Sequence, residues 1–300
     1  MIAFVVAMDL VIAFVPFLRE MNRYVLFSLQ YGVFLLPVVC FLALDQFDVL
    51  RGMKTRAIGV PTMLWTVLLT ILLLPVTVVL NLLTQFVVPN NVSAALMEST
   101  TAPLWVSLVY LAVIPALVEE YIFRGVLVQY LRHNGLLKTA LLTGLMFALS
   151  HMDLNQFLYT LMIGIFYVYL DEAAGSIYCS MLSHFLVNGF NILIIYLTVS
   201  NVPENMVGLV NEAEQSAAFV EGIPIIYWIM LAAVAVVCFI LAVIVVRHIA
   251  KIRGNEKKYQ EARSGRDAVQ SRDKKVFSVY LLIGCLIPIV YVFMIMILSR

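Results

Sequence analysis

The stretch 118–125, VEEYIFRG, sets two adjacent glutamates and an arginine inside a run from Leu104 to Leu131 that is otherwise almost wholly apolar. An ionised side chain at mid-membrane costs about 2.5–3.5 kcal/mol on insertion scales, so such residues persist where they face a partner or a wet interior. At about 100° per residue, Glu120 and Arg124 fall about 40° apart on one helix face and form an i,i+4 ion pair, while Glu119 points about 140° away from Arg124. Glu119 is left free for chemistry. Of the four histidines, only His151, which ends FALSH, and His184, inside SMLSHFLVNGFN, have apolar surroundings; His133 and His248 lie in basic segments and read as surface residues. A carboxylate held away from bulk water can act as a general base near neutral pH. One Glu with two His is also a three-ligand zinc set with an open fourth position. Both chemistries stay open on the residues alone, although the sequence contains no H-E-x-x-H.

The neighbours of these residues fit a site. Pro115, four residues before Glu119, removes a backbone donor, frees the Leu111 carbonyl and is expected to bend the helix. Gly125 is expected to let another helix approach closely. Ser180, His184, Asn188 and Asn191 recur at i, i+4, i+8 and i+11, a polar stripe on one helix face. With 1.5 Å of rise per residue, Glu119 and His151 each lie roughly 18 Å from the cytoplasmic ends of their spans and His184 roughly 12 Å, placing all three in the cytoplasmic half or the middle of the membrane. Taken singly, the ion pair reads as helix glue, each histidine as an interhelical hydrogen bonder and each asparagine as packing. Together they would need a separate excuse for every unpaired polar group.

The elements that position them are membrane helices. Of 300 residues, 63% are hydrophobic and 12% charged, and the mean hydropathy is +1.00. Soluble domains have about half apolar and a quarter charged residues, so the expected class is an all-α polytopic transmembrane bundle of about eight or nine spans. A 30 Å core takes about 20 apolar residues, and candidate spans fall near 2–18, 24–44, 57–80, 104–131, 139–153, 156–170, 176–199, 225–246 and 276–298, with 139–153 and 156–170 short. The opening MIAFVVAMDLVIAF reads as a first span, having no basic n-region or cleavage site. Residues 247–275 hold ten of the nineteen Lys and Arg, which puts that segment, read as a solvated loop, and the N-terminus in the cytoplasm. Cys40, Cys179, Cys238 and Cys285 lie in apolar stretches without a C-x-x-C pair and read as buried spectators. No basic patch is interleaved with aromatics, so no nucleic-acid partner is expected.

EEYIFRG, FALSH and HFLVN, in that order on successive spans, resemble the three motifs of the CPBP family, E-E-x-x-x-R, F-x-x-x-H and H-x-x-x-N. That family includes CAAX prenyl protease 2 types and bacterial Abi proteins linked to bacteriocin processing or self-immunity. The resemblance covers about residues 101–199, which become the expected protease core, with N-terminal helices in 1–100 and C-terminal helices with the basic segment in 200–300. It implies an intramembrane endopeptidase of the cell membrane, acting on a membrane-associated peptide or protein at a cavity open toward the cytosol. By motif, Glu119 and His151 would activate a water, His184 and Asn188 would stabilise the oxyanion, and Glu120 and Arg124 would hold the first motif in shape. The expected cofactor is none, with zinc on Glu119, His151 and His184 as the alternative. The rival readings are a non-catalytic immunity or scaffold protein of the same fold and a proton-coupled transporter. A transporter would spread polar groups over several depths, whereas here they gather at one.

Overall fold

A computed structural model describes residues 21–44, 52–90, 100–202 and 217–264, with 15, 17, 286, 287, 289 and 290 as isolated positions. The expected first and last spans, 2–18 and 276–298, lie almost wholly outside the described residues. The described chain is helical: α1 Arg23–Leu44, α2 Val60–Gln85, α3 Leu104–Asn134, α4 Leu136–Ser150, α5 Leu154–Ala174, α6 Tyr178–Asn201, the short α7 Ala217–Glu221, α8 Ile225–Ile252 and α9 Glu256–Arg263. No strand ladder occurs among the described residues, only one isolated bridge between Thr55 and Ser176. Five of these helices (α2, α3, α5, α6 and α8) are long and apolar enough to cross a membrane. This is a multi-pass membrane protein built as an all-α bundle.

Of three apolar clusters among the described residues, two bear on the site. One joins α2, α5, α6, α8 and α9 through Leu69, Leu73, Tyr167, Leu170, Val187, Val246, Ile249 and Tyr259. The other joins α1, α3 and α4 through Phe34, Val38, Ile122, Phe123, Val126 and Phe147. The polar residues singled out above lie between the two.

Three expectations need correction. The segment expected as a short span at 156–170 is a helix of 21 residues, because Asp153 caps its start by accepting from the Asn155 N–H at 2.8 Å and Gly175 stops it with a left-handed φ of 62°. The segment 247–275 is not simply a solvated loop. α8 continues through Arg247 and Lys251 to Ile252, and α9 follows with Tyr259 and Ala262 buried. Arg253 Nε donates to the Ala174 carbonyl at 2.8 Å and Asn255 Nδ2 to the Ala173 carbonyl at 3.1 Å, so the described part of this segment, residues 247–264, is docked on the end of α5. His248 is half-buried, its ring 4.3 Å from that of Trp65, rather than a free surface residue.

The close helix approach is also elsewhere than expected. A Cβ on Gly125 would meet only the Met53 side chain. The tight crossing is α4 on α5, where a Cβ on Gly164 would come within 2.7 Å of the Gly144 Cα and one on Gly144 within 2.9 Å of the Ile165 nitrogen.

Candidate active site

α3 is not a regular helix. Two π-helical stretches, Val109–Val113 and Tyr121–Leu127, flank the α-helical turns Ile114–Glu120 that carry both glutamates. Wide π turns recur at functional sites because they redirect side chains without ending the helix. Pro115 accounts for the first, since it cannot donate to the Leu111 carbonyl. That oxygen receives Asn188 Nδ2 from α6 at 3.1 Å. The third motif thus satisfies the acceptor that the proline frees.

Glu120 and Arg124 are fully buried and bonded, Nη1 to Oε1, at 2.9 Å. The pairing survives although the intervening turn is π and the 100° spacing no longer applies. Arg124 also donates from Nη2 to the Gly164 carbonyl at 3.3 Å. Its guanidinium lies between two rings, 4.5 Å from the Phe147 centroid and 5.3 Å from that of Tyr167, so delocalised charge meets aromatic faces where water is excluded. Glu120 Oε1 has a second partner that the sequence did not reveal: His184 Nδ1 is 2.8 Å away. An ionised carboxylate only accepts, so Nδ1 donates and Nε2 is turned to other work.

His151 caps the end of α4, just before Met152 reverses the chain with a φ of 49°. Its Nδ1 lies 2.8 Å from the Phe147 carbonyl. The phenylalanine of FALSH therefore serves through its backbone as well as its ring. Glu119 Oε2 stands 3.9 Å from His151 Nε2 and has no hydrogen-bond partner among the described residues.

Glu119, His151, His184 and Asn188 all line one cavity of about 270 Å³, with Asn191 from the polar stripe. Ser180, the first residue of that stripe, turns instead to Asp171, donating from Oγ to Oδ2 at 2.7 Å. Residues outside the motifs complete the walls. Tyr159 donates to Gln156 Oε1 at 2.7 Å, Gln156 donates to Asp153 at 3.2 Å, and both Tyr159 and Gln156 face the cavity. Beneath His184, the Ser183 hydroxyl receives Thr70 at 2.8 Å and Tyr167 at 2.9 Å. A readable signal for Thr70 existed: Thr62, Thr66 and Thr70 recur every four residues and are all buried on α2.

The alternative zinc set of Glu119, His151 and His184 lies on one cavity, but among the described residues no three His, Cys, Asp or Glu side chains are grouped to hold a metal ion. No step is derived through a metal.

The turn bearing His151 lies farther from the basic segments than the rise-per-residue estimate suggested. Asn155 bonds Asn81 at 2.7 Å, and Thr84 donates to its carbonyl at 2.6 Å, at the C-terminal end of α2. The basic segments meet at the opposite end, where Lys54 and Arg132 both bond Glu172.

A family model described as Type II CAAX prenyl endopeptidase Rce1-like matches residues 101–190. That span holds all three motifs, and the match bears out the family resemblance they carry. No curated protein and no solved structure matches the chain.

Proposed function

We propose that this protein is an intramembrane endopeptidase of the CAAX type that hydrolyses a peptide bond of a membrane-associated protein or peptide through a water activated by Glu119 and His151, without a metal. The spacing of those two side chains carries the reading. The Phe147 carbonyl can only accept, so the neutral His151 ring keeps its proton on Nδ1 and presents a lone pair at Nε2. Glu119 Oε2 faces it at 3.9 Å, too far for a direct hydrogen bond and suited to one water donating to both. A water polarised in this way presents its oxygen lone pair to a peptide carbonyl in the cavity.

Glu119 takes the water proton as the oxygen bonds to the carbonyl carbon. The tetrahedral oxyanion is met by the Asn188 amide and by His184 Nε2. Because Nδ1 donates to Glu120, Nε2 donates when the His184 ring carries both protons. One such donor in a dry site is worth about 2.7–4 kcal/mol of barrier. The C–N bond then breaks, and the proton held by Glu119 passes to the leaving nitrogen. The match of residues 101–190 to a prenyl endopeptidase family supports the reaction class.

The test is cleavage of a peptide library by the purified full chain in detergent. Glu119→Ala and Glu119→Gln are expected to abolish cleavage while leaving thermal unfolding unchanged. Turnover surviving in either folded variant sinks the assignment. A chelator is expected to leave the rate unchanged; loss of activity that zinc restores would overturn the metal-free route.

A further inference from the structure

α5 presents two faces. Tyr159, Thr160, Ile163 and Tyr167 line the candidate site. On the other side Leu158, Met162, Phe166 and Tyr169 follow one another at steps of four, four and three, one continuous helix face, and they line a separate groove of about 530 Å³. Phe239, Val243 and Val246 of α8 form the facing wall, Leu80 adds to it from the far part of α2, and Tyr259 and Arg263 come from α9 at the basic end. The groove and the candidate site have no lining residue in common.

Length and charge select what such a groove can hold. From Leu158 to Tyr169 it follows α5 for about 16 Å at 1.5 Å per residue, close to one leaflet of a hydrocarbon core of about 30 Å. Its walls are apolar along that length, and left unfilled they would forfeit contacts on every lining atom. At the basic end Arg247 of α8 and Arg263 of α9 both act electrostatically on Tyr259, and Arg263 also acts on Tyr169. Both arginines are exposed, and neither is in an ion pair among the described residues. Glu172, the acid that also acts on Tyr259, is already bonded to Lys54 and Arg132. On α9 itself, Glu256 and Glu261 are outnumbered by Lys257, Lys258 and Arg263. An apolar groove one leaflet deep thus has unneutralised cations at its mouth, on the side that the charge distribution puts inside.

We infer that the groove is a binding site for an anionic phospholipid, with one acyl chain lying between α5 and α8 and the phosphate between Arg247 and Arg263. Basic pockets between membrane helices on the cytoplasmic side take such headgroups. Tyr169 and Tyr259, each an apolar ring with a polar tip, suit the boundary between chain and headgroup. The lipid ties α5, whose opposite face carries the candidate site, to α8 and α9.

The experiment uses the detergent-solubilised full chain in native mass spectrometry, with phosphatidylglycerol and phosphatidylcholine of identical acyl chains; none of its readouts depends on turnover. The wild type is expected to retain one phosphatidylglycerol in preference to phosphatidylcholine by about tenfold, and phosphatidylglycerol is expected to raise its unfolding temperature. Arg247→Gln with Arg263→Gln is expected to abolish the preference and the thermal shift. Val243→Trp, which fills the groove from its α8 wall, is expected to abolish retention of both lipids. The arginine variant changes exposed side chains only, so it decides the matter even if Val243→Trp does not fold. Equal retention of the two lipids, a preference that survives the arginine variant, or retention that survives in folded Val243→Trp overturns the site. Full competition by soluble glycerol phosphate would reduce it to a phosphate site without the chain. With Cys238 replaced by alanine, a disulfide between Val243→Cys and the native Cys285 would put residues 276–298 over the groove in place of lipid.

Discussion

Glu120 joins two functions in one carboxylate, because Arg124 and His184 share its Oε1 at 2.9 and 2.8 Å. The i,i+4 spacing revealed the first partner; the second comes from a helix 64 residues away, beyond the reach of local periodicity. From the sequence alone, Glu120→Ala is expected to harm stability more than chemistry. The structure changes that expectation, since the substitution strands a buried guanidinium and also releases the imidazole that faces the cavity. Glu120→Ala is expected to destabilise the protein by about 3–5 kcal/mol, as for a buried pair with one partner removed. The double variant Glu120→Leu with Arg124→Met leaves no stranded charge, so its thermal unfolding in detergent is expected to recover most of that loss. Turnover is expected to stay low in the double variant, because His184 Nδ1 remains unheld. Recovery of both stability and rate would show that Glu120 serves only the ion pair.

At the scale of the elements, the three motif helices were legible because each carries its polar residues against an apolar background. Glu119, His151, His184 and Asn188 do reach one cavity. What stayed hidden was how backbones approach. Glycine has no side chain to set a period, and whether it marks a crossing depends on the partner helix. Gly125, beside a motif, drew attention, whereas Gly144 and Gly164 make the contact. The two cases predict opposite outcomes. Gly164→Val drives a Cβ toward the Gly144 Cα, which is backbone and cannot yield, and displaces the carbonyl that receives Arg124. Overpacking of this kind costs about 1–3 kcal/mol, and turnover is expected to fall with it. Gly125→Ala meets only the flexible end of Met53 and gains helix propensity of roughly 0.8–1 kcal/mol. Its unfolding temperature is expected to be unchanged or raised. If thermal unfolding ranks the two the other way, the α4–α5 crossing is not where the core is tight.

For the whole molecule, two arguments about orientation pull apart. The charge distribution puts the basic end inside, and the fold gathers that end into one structure: Lys54 and Arg132 on Glu172, and Arg253 donating to the Ala57 and Ala174 carbonyls. Family resemblance alone implies a cavity open toward the cytosol. Yet the His151 turn is tied to the far end of α2, and a route from the basic end must run most of the length of α4, about 22 Å for its 15 residues. The charge rule rests on many residues that act together, and moving them across the bilayer would carry a cost for each. It is therefore expected to set the orientation, leaving the candidate site nearer the non-cytoplasmic face. With the four native cysteines replaced by alanine, Val87→Cys, on an exposed residue just past α2, is expected to react with a membrane-impermeant maleimide in intact cells. Lys257→Cys, exposed on α9, is expected to react only after the membrane is opened. The reverse pattern would place the basic end outside and bring the His151 turn close to the cytosol, so that the family's access route would prevail over the charge rule.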